Sequence, residues 1–386
     1  MERKLKMGMV GGGPGAFIGA VHRIAARIDG KIELVCGAFS SSPEKSRQTG
    51  QELFLSDDRI YESYQSMIEC EAALPEGERM DFVAIVTPNH MHFPVAMMAL
   101  ENDFHVICDK PMTLTLDDAR KLNDKVKETG LIFCLTHNYT GYPMVKQARE
   151  MIQNGQLGEI KKIVSEYPQG WLASKIEDEE QKQASWRTDP VTSGASCSMG
   201  DIGSHAENLA EYITGLKITE LCADLSTFVP GRMLDDDGGV LVHYDNGARG
   251  IIYASQVSVG EENGLRIRVY GTKGAIEWTQ TEPNTLVFKS NDAPQQIYRT
   301  GWAGTGEAAA YNTRIPAGHP EGFLEAFANL YRNFATVVAA RIDGIEPDAV
   351  ACDFPTVEDG VRGMAFIETV VKSAGSDQKW IKFPAI

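Results

Sequence analysis

The segment LKMGMVGGGPGAFIGAVHRIAARI, close to the N-terminus, restricts the possible folds more than any other stretch. Its first part is an apolar run of strand character and its last part has helical periodicity. Between them lies GGGPGAFIG, Gly11 to Gly19. Glycines at a strand-to-helix junction permit positive φ and let the backbone approach a pyrophosphate resting on the helix's first amides. Gly11-x-Gly13-x-x-Ala16 satisfies the Gly/Ala form of the dinucleotide fingerprint, and Gly13, Gly15 and Gly19 offer a second, stretched register. The same alternation continues downstream. IELVCGAF, DFVAIVTP, FHVICDKP and LIFCLTHNY read as strands, separated by helical stretches such as HFPVAMMALEN and LTLDDARKLNDKVKETG. Such alternation implies an α/β Rossmann domain, a doubly wound parallel sheet.

Beyond Asn138 the pattern changes. One helix, PMVKQAREMIQNG, precedes a series of β-type segments: EIKKIVSEYP, ITELCADLSTFV, GGVLVHYDNGARGIIYASQVS, LRIRVYGTKGAIEWTQ and TLVFKS. Hairpin signals occur in YDNGAR and YGTKGA. A helical block from Asp201 to Thr214 interrupts the strands, and two amphipathic helices close the chain. The expected organisation is a Rossmann domain over 1–138 and an α+β domain over 139–386. The second carries a large open, mostly antiparallel sheet, and the C-terminal helices are able to pack back on the first domain.

Charge and cysteine content limit the partners. Lys and Arg number 37 against 53 Asp and Glu, a formal net charge of −16. So acidic a chain repels phosphate backbones and anionic lipid, which argues against nucleic acid and membrane partners. No apolar stretch is long enough to span a bilayer, and no signal-peptide core precedes the glycines. The seven cysteines are scattered, without a CxxC pair, and imply neither a disulfide framework nor a metal site. A cytoplasmic location is expected.

Ligands of open α/β sheets bind where the carboxyl ends of the strands emerge. Four segments at such ends matter. The second strand ends in Phe39-Ser40-Ser41-Ser42, followed by Glu44, Lys45 and Arg47. Without a terminal acid to take a ribose diol, this segment leaves NAD and NADP both open. TPNHMH (Thr87, Pro88, Asn89, His90, Met91, His92), Asp109-Lys110-Pro111 and THNY (136–139) follow the next three strands. A lysine directly after a buried strand is costly to desolvate unless paired or used. Farther on, MGDIGSH puts Asp201 and His205 four residues apart, on one face if a helix starts near Asp201; the alternative is that Asp201 is a plain N-cap.

Taken together, the glycine loop, the TPN turn, the Asp-Lys-Pro tripeptide and GDIGSH resemble the Gfo/Idh/MocA family, relatives of glucose-fructose oxidoreductase and inositol dehydrogenase. The resemblance runs over essentially the whole chain. It implies NAD(P), homodimers or homotetramers built through the open sheet, and catalytic roles for Lys110, Asp201 and His205. Where this chain has Asp109 the family usually has Glu. Cofactor contacts are expected from Gly11, Gly13, Gly15, Ala16, Phe17, Ile18, Ser40, Thr87, Pro88, Asn89, His92, Asp109 and Lys110.

The implied reaction is hydride transfer between a secondary hydroxyl of a sugar, glycoside or cyclitol and nicotinamide. His205 would accept the proton, Lys110 orient the hydroxyl and Asp201 fix a neighbouring one. Asn138, Tyr139, Tyr142, Trp186, Arg187 and His319 are the expected substrate residues, with Arg187 suited to an anionic substituent. Two alternatives use the same residues. One is an NAD-dependent glycosidase working by transient C3 oxidation, elimination, water addition and re-reduction, with Tyr139, Tyr142 or His319 as the extra base. The other is a non-catalytic sensor of sugar and NAD.

Overall fold

The structure, a computed structural model, describes residues 3–179 and 181–386. The chain divides into two units, residues 1–136 with 327–361, and 137–326 with 362–386.

The first unit is built on five parallel strands: β1 (Leu5–Gly11), β2 (Ile32–Ala38), β3 (Phe82–Val86), β4 (His105–Cys108) and β5 (Phe133–Leu135). Their order is β2-β1-β3-β4-β5. The order reverses between β1 and β3, so the loops after these two strands diverge and leave a crevice at their carboxyl ends. β3, FVAIV, is buried at every position, as a central parallel strand covered on both faces must be. β5 is shorter than LIFCLTHNY suggests. Thr136 turns its hydroxyl to Asp109 Oδ1 at 2.8 Å, and residues 138–141 wind into a 3-10 turn instead of extending the strand.

The second unit carries a nine-stranded sheet. In chain order its strands are β6 (Ile160–Pro168), β7 (Ile218–Ser226), β8 (Asp237–Tyr244), β9 (Arg249–Ser255), β10 (Arg266–Gly271), β11 (Ala275–Thr279), β12 (Thr285–Lys289), β13 (Gln296–Arg299) and β14 (Trp380–Lys382). The spatial order is β13-β12-β11-β10-β6-β9-β8-β7-β14. Only β6 and β9 pair in parallel; every other pairing in this sheet is antiparallel. A parallel pair needs a long crossover, and the segment between β6 and β9 supplies it, including helix Ser204–Thr214. That helix is buried at ten of eleven positions although it contains His205, Glu207, Asn208 and Glu211. Burying such groups requires partners. Glu211, for one, is paired with Lys217 and Arg362 and accepts from Ile218 N.

β13 and β14 are the edge strands that composition did not reveal; each has four residues or fewer and exposed side chains. All seven cysteines are free thiols. Among the described residues, no helix is long and apolar enough to cross a membrane.

Candidate active site

In the first unit the loops at the carboxyl ends of the strands meet. Gly11 has φ +88, and a Cβ there would lie 2.8 Å from Val86 O and 3.0 Å from Thr87 Cγ2, so the glycine loop touches the TPN loop. A Cβ on Gly13 would stand 2.6 Å from Phe39 O, at the end of β2. The third fingerprint glycine gives close packing of helix on strand, and here Gly19 does this: its Cβ would fall 2.3 Å from Gly12 Cα. The longer loop therefore uses Gly11, Gly13 and Gly19, with Ala16 as the helix N-cap. Arg23 Nη1 ties the loop down through Gly12 O at 2.9 Å.

A pyrophosphate-bearing cofactor fits these residues. Helix Phe17–Ile28 begins with no side-chain cap and no acid in its first turn, so its leading amides suit an anion. Thr87 Oγ1, beside Gly11, is buried without a hydrogen-bond partner. Gly15 is exposed and Phe17 is 66% exposed, open to contact from outside the loop, while Ile18 is half-buried. At the end of β2, Ser40 Oγ accepts from Ser42 N, and Ser42 caps helix Pro43–Glu52 while donating to Glu44.

The next two loops are cross-linked. His92, 1% exposed, places Nδ1 2.7 Å from Pro111 O and Nε2 3.0 Å from Thr87 O. Burial lowers its pKa. A neutral imidazole carries a single N–H, so the ring donates to one of these carbonyls while lying against the other, and it links the Thr87-Pro88-Asn89 and Lys110-Pro111 segments. Asp109 Oδ1 accepts from Lys110 N at 2.9 Å and from Thr136 Oγ1 at 2.8 Å, which fixes the shorter acid against its own loop.

The second unit gathers the other group of expected residues. The chain enters helix Ser204–Thr214 through a π-turn, Met199–Gly203, that contains Asp201. Asp201 is not the cap. Asp235 carboxylate oxygens accept from Cys197 N at 3.1 Å and Met199 N at 3.0 Å, and Ser196 Oγ accepts from Gly200 N. With those amides satisfied, the Asp201 side chain is released. Its Oδ2 accepts from Arg187 Nε and from Gln256 Nε2, both at 3.0 Å.

His205, 6% exposed, stands in an aromatic cage. Its ring meets Tyr139 edge-on at 4.8 Å between centroids and Tyr167 at 6.1 Å. His205 Nδ1 lies 3.3 Å from His137 Nδ1. The two tyrosine hydroxyls are hydrogen-bonded to each other, and Asn263 Oδ1 accepts from Tyr167 at 2.6 Å and from Gln169 Nε2 at 2.6 Å. Burial pushes the Tyr139 phenol up to about 12 and raises Tyr167 well above the usual phenol range, so both are neutral near physiological pH. Asn138, 3% exposed in the same turn as Tyr139, keeps a side-chain Nδ2 donor without a partner.

Some expected substrate residues sit differently. Arg187 is paired with Asp201 and also donates to Gln183, with its guanidinium 4.2 Å from the Trp186 ring centroid. Its Nε is engaged by the Asp201 carboxylate. Trp186 stacks on that guanidinium and donates to Gln183 Oε1. Tyr142, 1% exposed, is a core residue packed 5.4 Å from Trp278. His319 is exposed, its ring held at Pro316 O. His137, Tyr167, Gln256 and Asn263 join the group without having been singled out. Of these only His137 left a trace, as part of THNY.

Comparison with known proteins identifies the family. Residues 5–139 match the family model described as an oxidoreductase family with NAD-binding Rossmann fold. Residues 145–277 match the GFO/IDH/MocA C-terminal domain. The uncharacterized oxidoreductase YfiI of Bacillus subtilis is 33% identical over 99% of this chain and 98% of its own length. An oxidoreductase structure from Sinorhizobium meliloti is 46% identical, covering 99% of this chain and all of the other, with a TM-score of 0.89. An inositol dehydrogenase homolog from Azotobacter vinelandii, 34% identical over 99% of this chain and 98% of its own, has been solved with NAD+ (TM-score 0.94) and with NADH and myo-inositol (TM-score 0.91).

Proposed function

The chain belongs to the Gfo/Idh/MocA family of oxidoreductases and has its NAD-binding Rossmann domain, and from that premise we propose that it oxidises a secondary hydroxyl of an uncharged ring polyol, a cyclitol or sugar. The observation that carries this reading is the group at Asp201 and His205. One carboxylate and one imidazole rise from a single helical run, the first anchored by Arg187 and Gln256, the second caged by Tyr139, Tyr167 and His137.

NAD, when bound, supplies the hydride acceptor at the carbinol carbon. The chain's own residues handle the oxygen. His205 takes the hydroxyl proton, since an imidazole is the side chain suited to exchange a proton near neutral pH. Asp201 accepts a hydrogen bond from a neighbouring hydroxyl and so sets the ring's orientation; its anchoring means that little reorganisation is needed when substrate arrives. Lys110, at the carboxyl end of β4, holds the reacting oxygen and favours its developing negative charge. Gly11, Gly13 and the first amides of helix Phe17–Ile28 would hold the pyrophosphate, and Thr87 and Asn89 would contribute polar groups to the same site.

The preference for an uncharged substrate follows from Arg187. Its charge is spent on Asp201, so it does not reward a phosphate or carboxylate. Redox-assisted glycoside cleavage, the alternative, requires a further base near C2. The phenols of Tyr139 and Tyr142 are raised by burial and are poor bases near neutral pH. The reading also carries the expectation of a homodimer or homotetramer built on the outer face of the second sheet, where Leu241 and Tyr270 stand exposed.

The test is a set of cyclitols, free sugars, glycosides and sugar phosphates, followed by reduced-nicotinamide absorbance with NAD. Uncharged polyols should yield NADH mole for mole with product. His205→Ala should lower kcat on the best substrate by at least about 100-fold and leave NAD affinity within about twofold. Turnover at the native rate in that variant would remove His205 from its role, and release of an aglycone without net NADH would favour the glycosidase.

A further inference from the structure

His137 and His205 face each other through the same ring atom, Nδ1 to Nδ1 at 3.3 Å. Two lone pairs at that distance repel, and two N–H groups collide. One proton therefore lies between them, and its owner decides what each ring can do at its other nitrogen. The backbone of His137 is fixed where the chain leaves β5, because its carbonyl accepts from Thr140 N at 3.2 Å and Thr140 Oγ1 at 2.9 Å. The far nitrogen of His137 points away from His205: a Cβ added to Gly363, on helix Val357–Ala374, would lie 4.0 Å from His137 Nε2.

We propose that His137 is a positioning residue for His205: it accepts the His205 Nδ1 proton and thereby holds His205 in the tautomer whose Nε2 lone pair takes the substrate proton. The proposal rests on His205 being the proton acceptor of the reaction above. In the neutral pair, His205 carries its proton on Nδ1 and His137 carries its own on Nε2. When the hydroxyl is oxidised, the O–H bond breaks and its proton passes to His205 Nε2. The imidazolium so formed keeps its Nδ1–H on the His137 lone pair, and that hydrogen bond strengthens because the donor is now charged. The reverse reaction returns the same proton from Nε2 to oxygen. His137 never changes its own proton count in the cycle. It has the place that a carboxylate holds in a hydrolase triad, without a fixed negative charge.

The pair titrates as a unit. Addition of one further proton leaves His205 with N–H groups at both nitrogens, or gives His137 the shared proton and turns His205 into its Nε2–H tautomer. Either state lacks the lone pair the reaction needs, so the acid limb of the pH profile belongs to both rings. Titratable groups near the pair include the Tyr139 and Tyr167 phenols, which face the His205 ring, and the Asp201 carboxylate four residues before His205, with its Arg187 partner. On helix Val357–Ala374, Arg362, next to Gly363, is paired with Glu211.

Two variants and two readouts test this. His137→Asn retains an acceptor close to the Nδ1 position, whereas His137→Leu removes it. Leu should lower kcat about 10- to 100-fold with NAD affinity unchanged, and Asn should recover most of that loss. Loss of the acceptor weakens the imidazolium more than the neutral ring, so in the Leu variant the acid limb should move to lower pH by roughly half a unit to one unit. The second readout needs no turnover. In protein labelled with 15N-histidine, which has eight histidines, His205, assigned through His205→Ala, should show the Nδ1–H tautomer in the native chain and lose it in His137→Leu. A native His205 in the Nε2–H tautomer, or a Leu variant with unaltered kcat and acid limb, overturns the proposal. If no polyol reduces NAD while the tautomer pattern holds, the substrate reading fails and the pairing stands.

Discussion

At the scale of single residues, the decisive feature is the company each charged group keeps. Arg187 sits after ASW on helix Lys182–Arg187, looks from its sequence like a free cation, and instead spends its charge on Asp201. Replacing it by Met keeps apolar length over Trp186 but removes the charge-assisted bond to Asp201. Such bonds contribute about 1.5–3 kcal/mol, so kcat/KM should fall roughly 10- to 100-fold, most of it in KM if Asp201 orients the ring. The comparison is steady-state kinetics of Arg187→Met and native protein on one polyol. A native-like KM would mean that Asp201 needs no anchor. Nothing in ASWRTDP or MGDIGSH announces this pairing, because the two segments meet only after the chain folds.

At the scale of elements, the run from Ser196 to Thr214 shows how a local pattern is overruled. Read as an ordinary helix starting near Asp201, it makes Asp201 either a cap or the residue one turn before His205. In the fold the cap belongs to Asp235, which lies just before β8 and far along the chain, and a π-turn carries Asp201 into the helix. Asp235→Ala should therefore cost about 1–3 kcal/mol, since it strands two buried amides, and should also disturb Asp201. Urea titration of the variant beside native protein measures the first effect and KM for the polyol the second. β1 to β4, by contrast, were readable directly. The runs of β3 and β4 are buried at every position because both faces are covered, and no tertiary information is needed to see that. LIFCLTHNY misleads only at its end, where Thr136 prefers Asp109 to another rung of the ladder.

At the scale of the whole molecule, buried imidazoles tie stability to pH. Burial depresses both His22 and His105 to about 4, against about 6.5 in an unfolded chain. Above pH 6.5 both states are neutral at these rings and no penalty exists. As pH falls from 6.5 towards 4, the unfolded chain binds protons that the folded chain refuses, so stability is lost through that window, by at most about 3 kcal/mol per ring. Melting temperature should fall steadily over that range, and His105→Gln, which retains an acceptor for Ile132 N, should flatten the slope. A melting temperature independent of pH between 6.5 and 4.5 would show that neither ring is withheld from protonation. Local patterns sufficed for the Rossmann unit, the change to a β-rich second unit, the nucleotide loop and the Asp201/His205 motif, because periodicity, glycine placement and short spacings are properties of contiguous chain. Three things were decided only in three dimensions: Gly19 as the third loop glycine, Arg187 as the anchor of Asp201, and His137 as the neighbour of His205. The first depends on how the loop folds back on itself, a choice that spacing alone leaves open between two registers, and the other two depend on residues distant in sequence being brought within hydrogen-bond reach by packing that no short segment contains.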